Sequence, residues 1–201
     1  MLLGLLFLGT KYLFASINIV DNLPQIPGST GFGGFLHKTE SDTLGITPSN
    51  NGQYLLKVYM FSDDKFNEPG QSDYTTVLDR QTPRPDIATY TVEQILRGPT
   101  ANEVESGLRP TFGGEYPVSL SGSSQCGIKN FDIKLDVKNY LAKVTFCREL
   151  AFHEDWGPKL LMSQIRKTLI QFDKILKVQI LTKDGNCLTG EKPSTLEECV
   201  Y

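Results

Sequence analysis

Histidine is nearly missing from this 201-residue chain, which carries only His37 and His153. A His-based catalytic triad or a His-rich metal centre therefore has few places to be built. His153 stands in His153-Glu154-Asp155-Trp156, without the second histidine at helical spacing that a HExxH zinc site requires, and reads as a solvated loop or helix-capping residue. Excess positive charge is also absent. The formal charge is −3 and the pI about 5.4, which leaves no surplus of Lys and Arg to neutralise phosphates and excludes nucleic acid as an expected partner. No polybasic cluster offers a membrane patch. The glycine run Gly28 to Gly34 lacks the Lys-Ser/Thr of a P-loop, and Leu36 stands where a dinucleotide fingerprint has its third glycine. No cofactor, metal site or catalytic residue is expected.

What is present is a composition suited to a folded body, with 39% hydrophobic and 21% charged residues, unlike that of disordered chains. Four cysteines, Cys126, Cys147, Cys187 and Cys199, form an even set without CxxC spacing, so disulfides in an oxidising compartment are the simpler reading. The acid pairs Asp63-Asp64 and Glu154-Asp155 are of a kind that usually faces water in surface turns. The chain opens with an apolar stretch, interrupted by Lys11 and continuing to Val20, about long enough to cross a bilayer at roughly 20 residues. It reads as a signal peptide or an N-terminal membrane anchor over 1–20. Residues 21–53, with Pro24, Pro27 and Pro48 and little periodicity, read as a flexible linker.

The folded part begins at Tyr54. Tyr54 to Phe61 has the aliphatic and aromatic content of a strand, and Thr75 to Gln81 can return as its antiparallel neighbour across a wide loop. Thr91 and Gln94 form a capping-box pattern that predicts a helix ending at Gly98-Pro99, and Thr100 with Glu103 repeats the pattern for a second short helix. Residues 111–130 are rich in Gly and Ser and read as a long loop. From Phe131 to Val137 apolar and polar residues alternate strictly, predicting a strand with one buried face. Lys138-Asn139 would turn it into a returning strand over Tyr140 to Cys147, with Asn139 tolerating the positive φ of the turn. That register sets Cys147 near Asn130 and makes a Cys126–Cys147 bridge reasonable, with Cys187–Cys199 stapling the tail. Trp156-Gly157-Pro158 opens a helix whose Leu161, Ile165 and Leu169, followed by Phe172, form an apolar stripe. Ile175 to Thr182 is the last strand. The predicted class is α+β, with helices on one face of a largely antiparallel sheet.

Several of these segments together resemble the GerMN domain, named for spore-germination proteins. The segment Val92 to Pro110 looks like that family's helix and Gly-Pro-Thr element, here Gly98, Pro99 and Thr100, with Glu103 and Gly107 in place. Asp132 to Phe146 and Ile165 to Gly185 are similar to its later hairpin, its Thr-Leu-Gln-Phe helix and its closing strand. The resemblance covers about 54–188, leaving 189–201 as a C-terminal tail, and departs from the pattern in lacking a lipobox cysteine. It implies a small ring-building-motif-like module without catalytic residues, working outside the cytoplasmic membrane. Expected partners are an envelope protein or further copies of the chain, reached through a sheet edge or the Gly98 to Gly107 region. The alternative is a peptidoglycan-binding accessory to a lytic enzyme, for which Phe112, Tyr116 and Trp156 are the aromatic candidates.

Overall fold

The structure, a computed structural model, describes residues 38–70, 73–188 and 199–200. The apolar segment 1–20, the expected linker as far as residue 37, and residues 189–198 and 201 of the tail lie outside the described residues. The chain order is α1 (Glu40–Leu44), β1 (Tyr54–Ser62), α2 (Asp63–Phe66), β2 (Thr75–Thr82), α3 (Ile87–Arg97), α4 (Ala101–Glu105), β3 (Leu108–Arg109) and β4 (Val118–Ser121). It continues with β5 (Phe131–Asp136), β6 (Leu141–Phe146), β7 (Glu149–Phe152), α5 (Gly157–Leu169) and β8 (Lys177–Leu181).

The class is α+β, but the strands form three hydrogen-bonded sheets rather than one: β2-β1-β3, β4-β7 and β5-β6-β8. All named pairings are antiparallel except β6 with β8. That parallel pair follows from connectivity, because β8 returns from α5 by a crossover rather than a hairpin. One core nevertheless serves all three sheets. Leu56 and Val58 of β1, Val92 and Ile95 of α3, and Val118 of β4 pack in the same buried cluster as Phe131 of β5, Val144 and Phe146 of β6, and Ile180 of β8. The predicted stripe of α5, Leu161, Ile165 and Leu169, is fully buried in it together with Phe172. Helices α3 and α5 pack against β1 and against each other.

Beyond its short pairing with β3 at Phe61 and Ser62, the flank of β1 opposite β2 is closed by side chains rather than by a strand. Gln171 accepts the Lys57 N–H through Oε1 at 2.7 Å and returns its Nε2 to the Lys57 carbonyl at 2.8 Å. Thr168 Oγ1 accepts the Tyr59 N–H at 3.1 Å. Exchange of both main-chain bonds by one residue is what a hydrogen-bonded residue pair does across an antiparallel ladder, so Gln171 stands in for a strand. An exposed edge that could recruit another chain is thereby blunted.

Several sequence expectations are corrected. Residues 38–53 belong to the folded body: α1 has a reciprocal Thr39/Asp42 capping box, and its Leu44 is buried in the core. Helix α3 begins at Ile87, four residues before Thr91, which is buried and bonds the Ala88 carbonyl from within the helix. Its own N-cap, Asp86, makes no side-chain cap. Glu40 supplies one from α1, accepting the Thr89 N–H at 2.9 Å and the Thr89 hydroxyl at 2.5 Å. The segment read as a loop over 111–130 contains β4, which pairs with β7. In the hairpin turn the positive φ falls on Tyr140, at 54°, instead of on Asn139, whose side-chain amide donates back to Asp136 Oδ2 at 2.6 Å.

Both cysteine pairs are bridged, Cys126 with Cys147 and Cys187 with Cys199. The first closes the loop before β5 onto the end of β6, where Cys147 N–H donates to the Asn130 carbonyl at 2.8 Å. The second holds Val200 beside Gln179 on the outer side of β8.

Candidate functional site

The Gly-Pro-Thr element shapes the turn from α3 into α4. Gly98 ends α3 with φ 77° and ψ −174°, a backbone conformation that residues with a Cβ avoid. Thr100 and Glu103 form the predicted capping box on α4. Glu103 also makes two bonds to Arg80 of β2, at 2.7 and 2.8 Å, with the two side chains only 15% and 23% exposed. The Arg80 guanidinium and the Thr100 N–H hold its carboxyl below the usual glutamate range against the opposing effect of burial. The Gly107 carbonyl accepts the Asp63 N–H at 3.0 Å. These residues thus fix the path of the chain from α3 to β3 and tie it to α2; none of Gly98, Pro99, Thr100, Glu103 and Gly107 lines the surface groove that Arg109 of β3 borders.

That groove, of about 250 Å³, lies between α2, the end of β1, the Glu115–Pro117 segment and the start of α5. Its apolar wall is made by Phe61, Phe66 and Trp156, with ring centroids 5.7 Å apart for Phe61–Phe66, 5.3 Å for Phe61–Trp156 and 4.9 Å for Phe66–Trp156. Phe61 is buried, whereas Phe66 and, from the Glu115–Pro117 segment, Tyr116 remain 38% and 37% exposed. Gly157 allows the close approach that sets Trp156 here, since a Cβ at that position would lie 2.9 Å from the Pro117 carbonyl oxygen. The polar lining is Asp63, Arg109, Glu115, His153 and Glu154. Asp63 accepts from Arg109 Nε at 2.5 Å.

His153 follows β7, and its Nε2 lies 3.0 Å from Ser119 Oγ on β4. Nucleophile and base at that separation meet the first condition for covalent catalysis. The second is a group that orients the base, and among the described residues no carboxylate bonds the other ring nitrogen. The pair is accounted for by the β4–β7 register, which places Ser119 opposite Ala151 and so on the same strand face as His153. Among the described residues no group of three or more His, Cys, Asp and Glu is placed to hold a metal, and no helix is long and apolar enough to cross a membrane.

Of the three aromatic candidates, Tyr116 and Trp156 line the groove. Phe112 does not; it packs inward against Phe146, 6.4 Å between centroids. Each acid pair contributes one member, Asp63 and Glu154, to the groove lining, from positions 91 apart in sequence. Phe61, Phe66 and Arg109 were not singled out by sequence, and no local signal marks them, because only the tertiary fold brings them together.

A larger hollow of about 640 Å³ lies between α3 and the start of β5. Its charges are mostly spent on one another: Arg84 bonds both Asp86 and Glu93, and Glu40 caps α3. It braces the helix, and the aromatic groove is the better candidate for recognition.

No family model matches the chain, and no curated protein matches it. Among solved structures the fold is similar to the tandem GerMN domains of the sporulation protein GerM from Bacillus subtilis, at 16% identity and a TM-score of 0.45. That match covers 74% of this chain and 46% of the other, so the chain spans about half the length of its counterpart. A candidate lipoprotein from Clostridium perfringens is similar at 16% identity and a TM-score of 0.32, over 69% of this chain and 80% of the other. The sequence resemblance and the first of these likenesses name the same domain. At such TM-scores neither likeness bears on function.

Proposed function

We propose that this chain is a noncatalytic recognition domain of the cell envelope, working outside the cytoplasmic membrane and binding another envelope protein through the groove walled by Phe61, Phe66 and Trp156. The observation that carries the reading is the groove itself: large aromatic side chains left partly exposed beside a set of polar groups are the composition of a contact surface. The two disulfides support an oxidising compartment. A role in sporulation or germination rests on the sequence resemblance to GerMN domains. The same aromatic wall favours a second reading, contact with peptidoglycan glycan, since sugar rings also stack on exposed aromatics.

Photocrosslinking separates these readings. With Tyr116→benzoylphenylalanine in cells, the first predicts a discrete adduct with a second envelope protein that disappears when Phe66→Ala is added. A probe at exposed Lys159, outside the groove lining, should not give that adduct. Adducts released only by muramidase would establish the cell-wall reading. If the Tyr116 and Lys159 probes give the same products, the groove is not a recognition surface.

A further inference from the structure

The groove is unbalanced in charge. Asp63 and Arg109 neutralise each other at 2.5 Å, and His153 is engaged with Ser119. The remaining charged groups, Glu115 and Glu154, are exposed and have no ion-pair partner among the described residues. Two unspent carboxylates beside Phe66, Tyr116 and Trp156 are complementary to an organic cation, which is drawn both to the negative faces of the rings and to the acids. A neutral sugar could stack on the rings and donate hydroxyls to the acids but would leave their charge uncompensated, and an anion would be repelled.

The chain uses the same chemistry internally. Lys167 sits 5.5 Å from the Tyr59 ring centroid while bonding Asp73, and Arg84 sits 5.5 Å from that of Tyr90 while bonding Asp86 and Glu93. In size the groove, about 250 Å³, is below the range of about 300–1,000 Å³ typical of small-molecule pockets, which suits one inserted side chain. A guanidinium stacks on an aromatic face and bonds carboxylates in its plane, which an ammonium cannot do.

We infer that the groove receives an arginine side chain, with lysine as a weaker substitute, from a partner polypeptide. The inference rests on the recognition reading above and names what that partner must present.

Trp156 is the only tryptophan of the chain, so its emission reports occupancy of the groove directly. The full oxidised chain is titrated with tetra-arginine, tetra-lysine, tetra-citrulline as the neutral isostere, and chitotetraose. Tetra-arginine should give a saturable change, tetra-lysine a weaker one, and the two neutral ligands none. Glu115→Gln/Glu154→Gln should weaken tetra-arginine binding about five- to tenfold, as expected for the loss of two exposed ion pairs. Glu105→Gln/Asp184→Asn, which removes the same charge elsewhere, should leave binding within about twofold, since remote exposed charges are screened. Glu115 and Glu154 are exposed, so the variants keep the fold, checked by their unfolding midpoints.

Equal affinity in the two double variants, or equal binding of tetra-citrulline, would overturn the inference. A response to chitotetraose alone would replace the cation with a glycan. No response to any ligand, with the Tyr116 crosslink still abolished by Phe66→Ala, would refute the arginine and leave the recognition reading standing.

Discussion

Gln171 offers a direct test of how this protein closes its first sheet. Replacing it by Ala removes two bonds to the β1 main chain, the acceptor for Lys57 N–H and the donor to Lys57 C=O. A neutral bond contributes about 0.5–1.5 kcal/mol net, so the pair sets a range of about 1–3 kcal/mol. Lys57 is exposed, and water can replace the lost partners, which places the expected loss near the bottom, about 1 kcal/mol. With a urea slope of about 1–3 kcal/mol per molar, the midpoint should fall by about 0.3–1 M at unchanged slope. Gln171→Met retains most of the bulk and none of the hydrogen bonds, and should lose nearly as much. Amide exchange reports the same loss at the site: the Lys57 N–H should exchange at least about fivefold faster, the factor that corresponds to 1 kcal/mol, and amides of β6 should rise by no more than the global loss allows. If both variants unfold at the wild-type midpoint and Lys57 exchanges no faster relative to β6, the side-chain closure of β1 contributes nothing and the reasoning fails.

Glu103→Gln should destabilise the protein at neutral pH. The carboxyl of Glu103 is held below its ordinary value of 4.5, chiefly by Arg80, so its contribution is present above that pH and is lost as pH falls through the depressed folded-state value. The difference between wild type and variant should therefore shrink in acid, and a constant difference from pH 7 to pH 2 would contradict the assignment. Gly98→Ala forces a Cβ into φ 77° against Pro110, 3.4 Å away, and should cost about 1–3 kcal/mol in thermal or urea unfolding. Cys187→Ser/Cys199→Ser opens a loop with a sequence separation of 12 and should cost about 3 kcal/mol; an equal midpoint with and without reductant in the wild type would show that neither bridge contributes.

The elements with strong periodicity were legible in the sequence. Strand β5 alternates strictly, α5 carries an apolar stripe behind Gly157-Pro158, and the Cys126–Cys147 pair follows from the register of β5 with β6, which leaves Cys187 and Cys199 for each other. What escaped was set by partners distant in sequence. The start of α3 depends on Glu40, forty-nine positions before Thr89, and a local capping pattern at Thr91 imitated a helix start. Strand β4 is four residues long in a Gly- and Ser-rich stretch, too short to show a period. The division into three sheets is a matter of which edges meet. Tyr116 and Trp156 were singled out by residue type, yet their convergence with Phe66, Asp63 and Arg109 is tertiary, and Phe112 shows that residue type alone selects core aromatics equally well.

The cap that Glu40 lends to α3 decides where a shortened version of this protein can begin. A fragment cut at Tyr54, where the first strand starts and composition suggests the fold does, would lack Leu44 in the core and leave the Thr89 amide at the head of α3 without its carboxylate. The residues just before the first strand look like spacer and act as a keystone, so a recombinant clone trimmed to the apparent domain should yield a chain prone to aggregate.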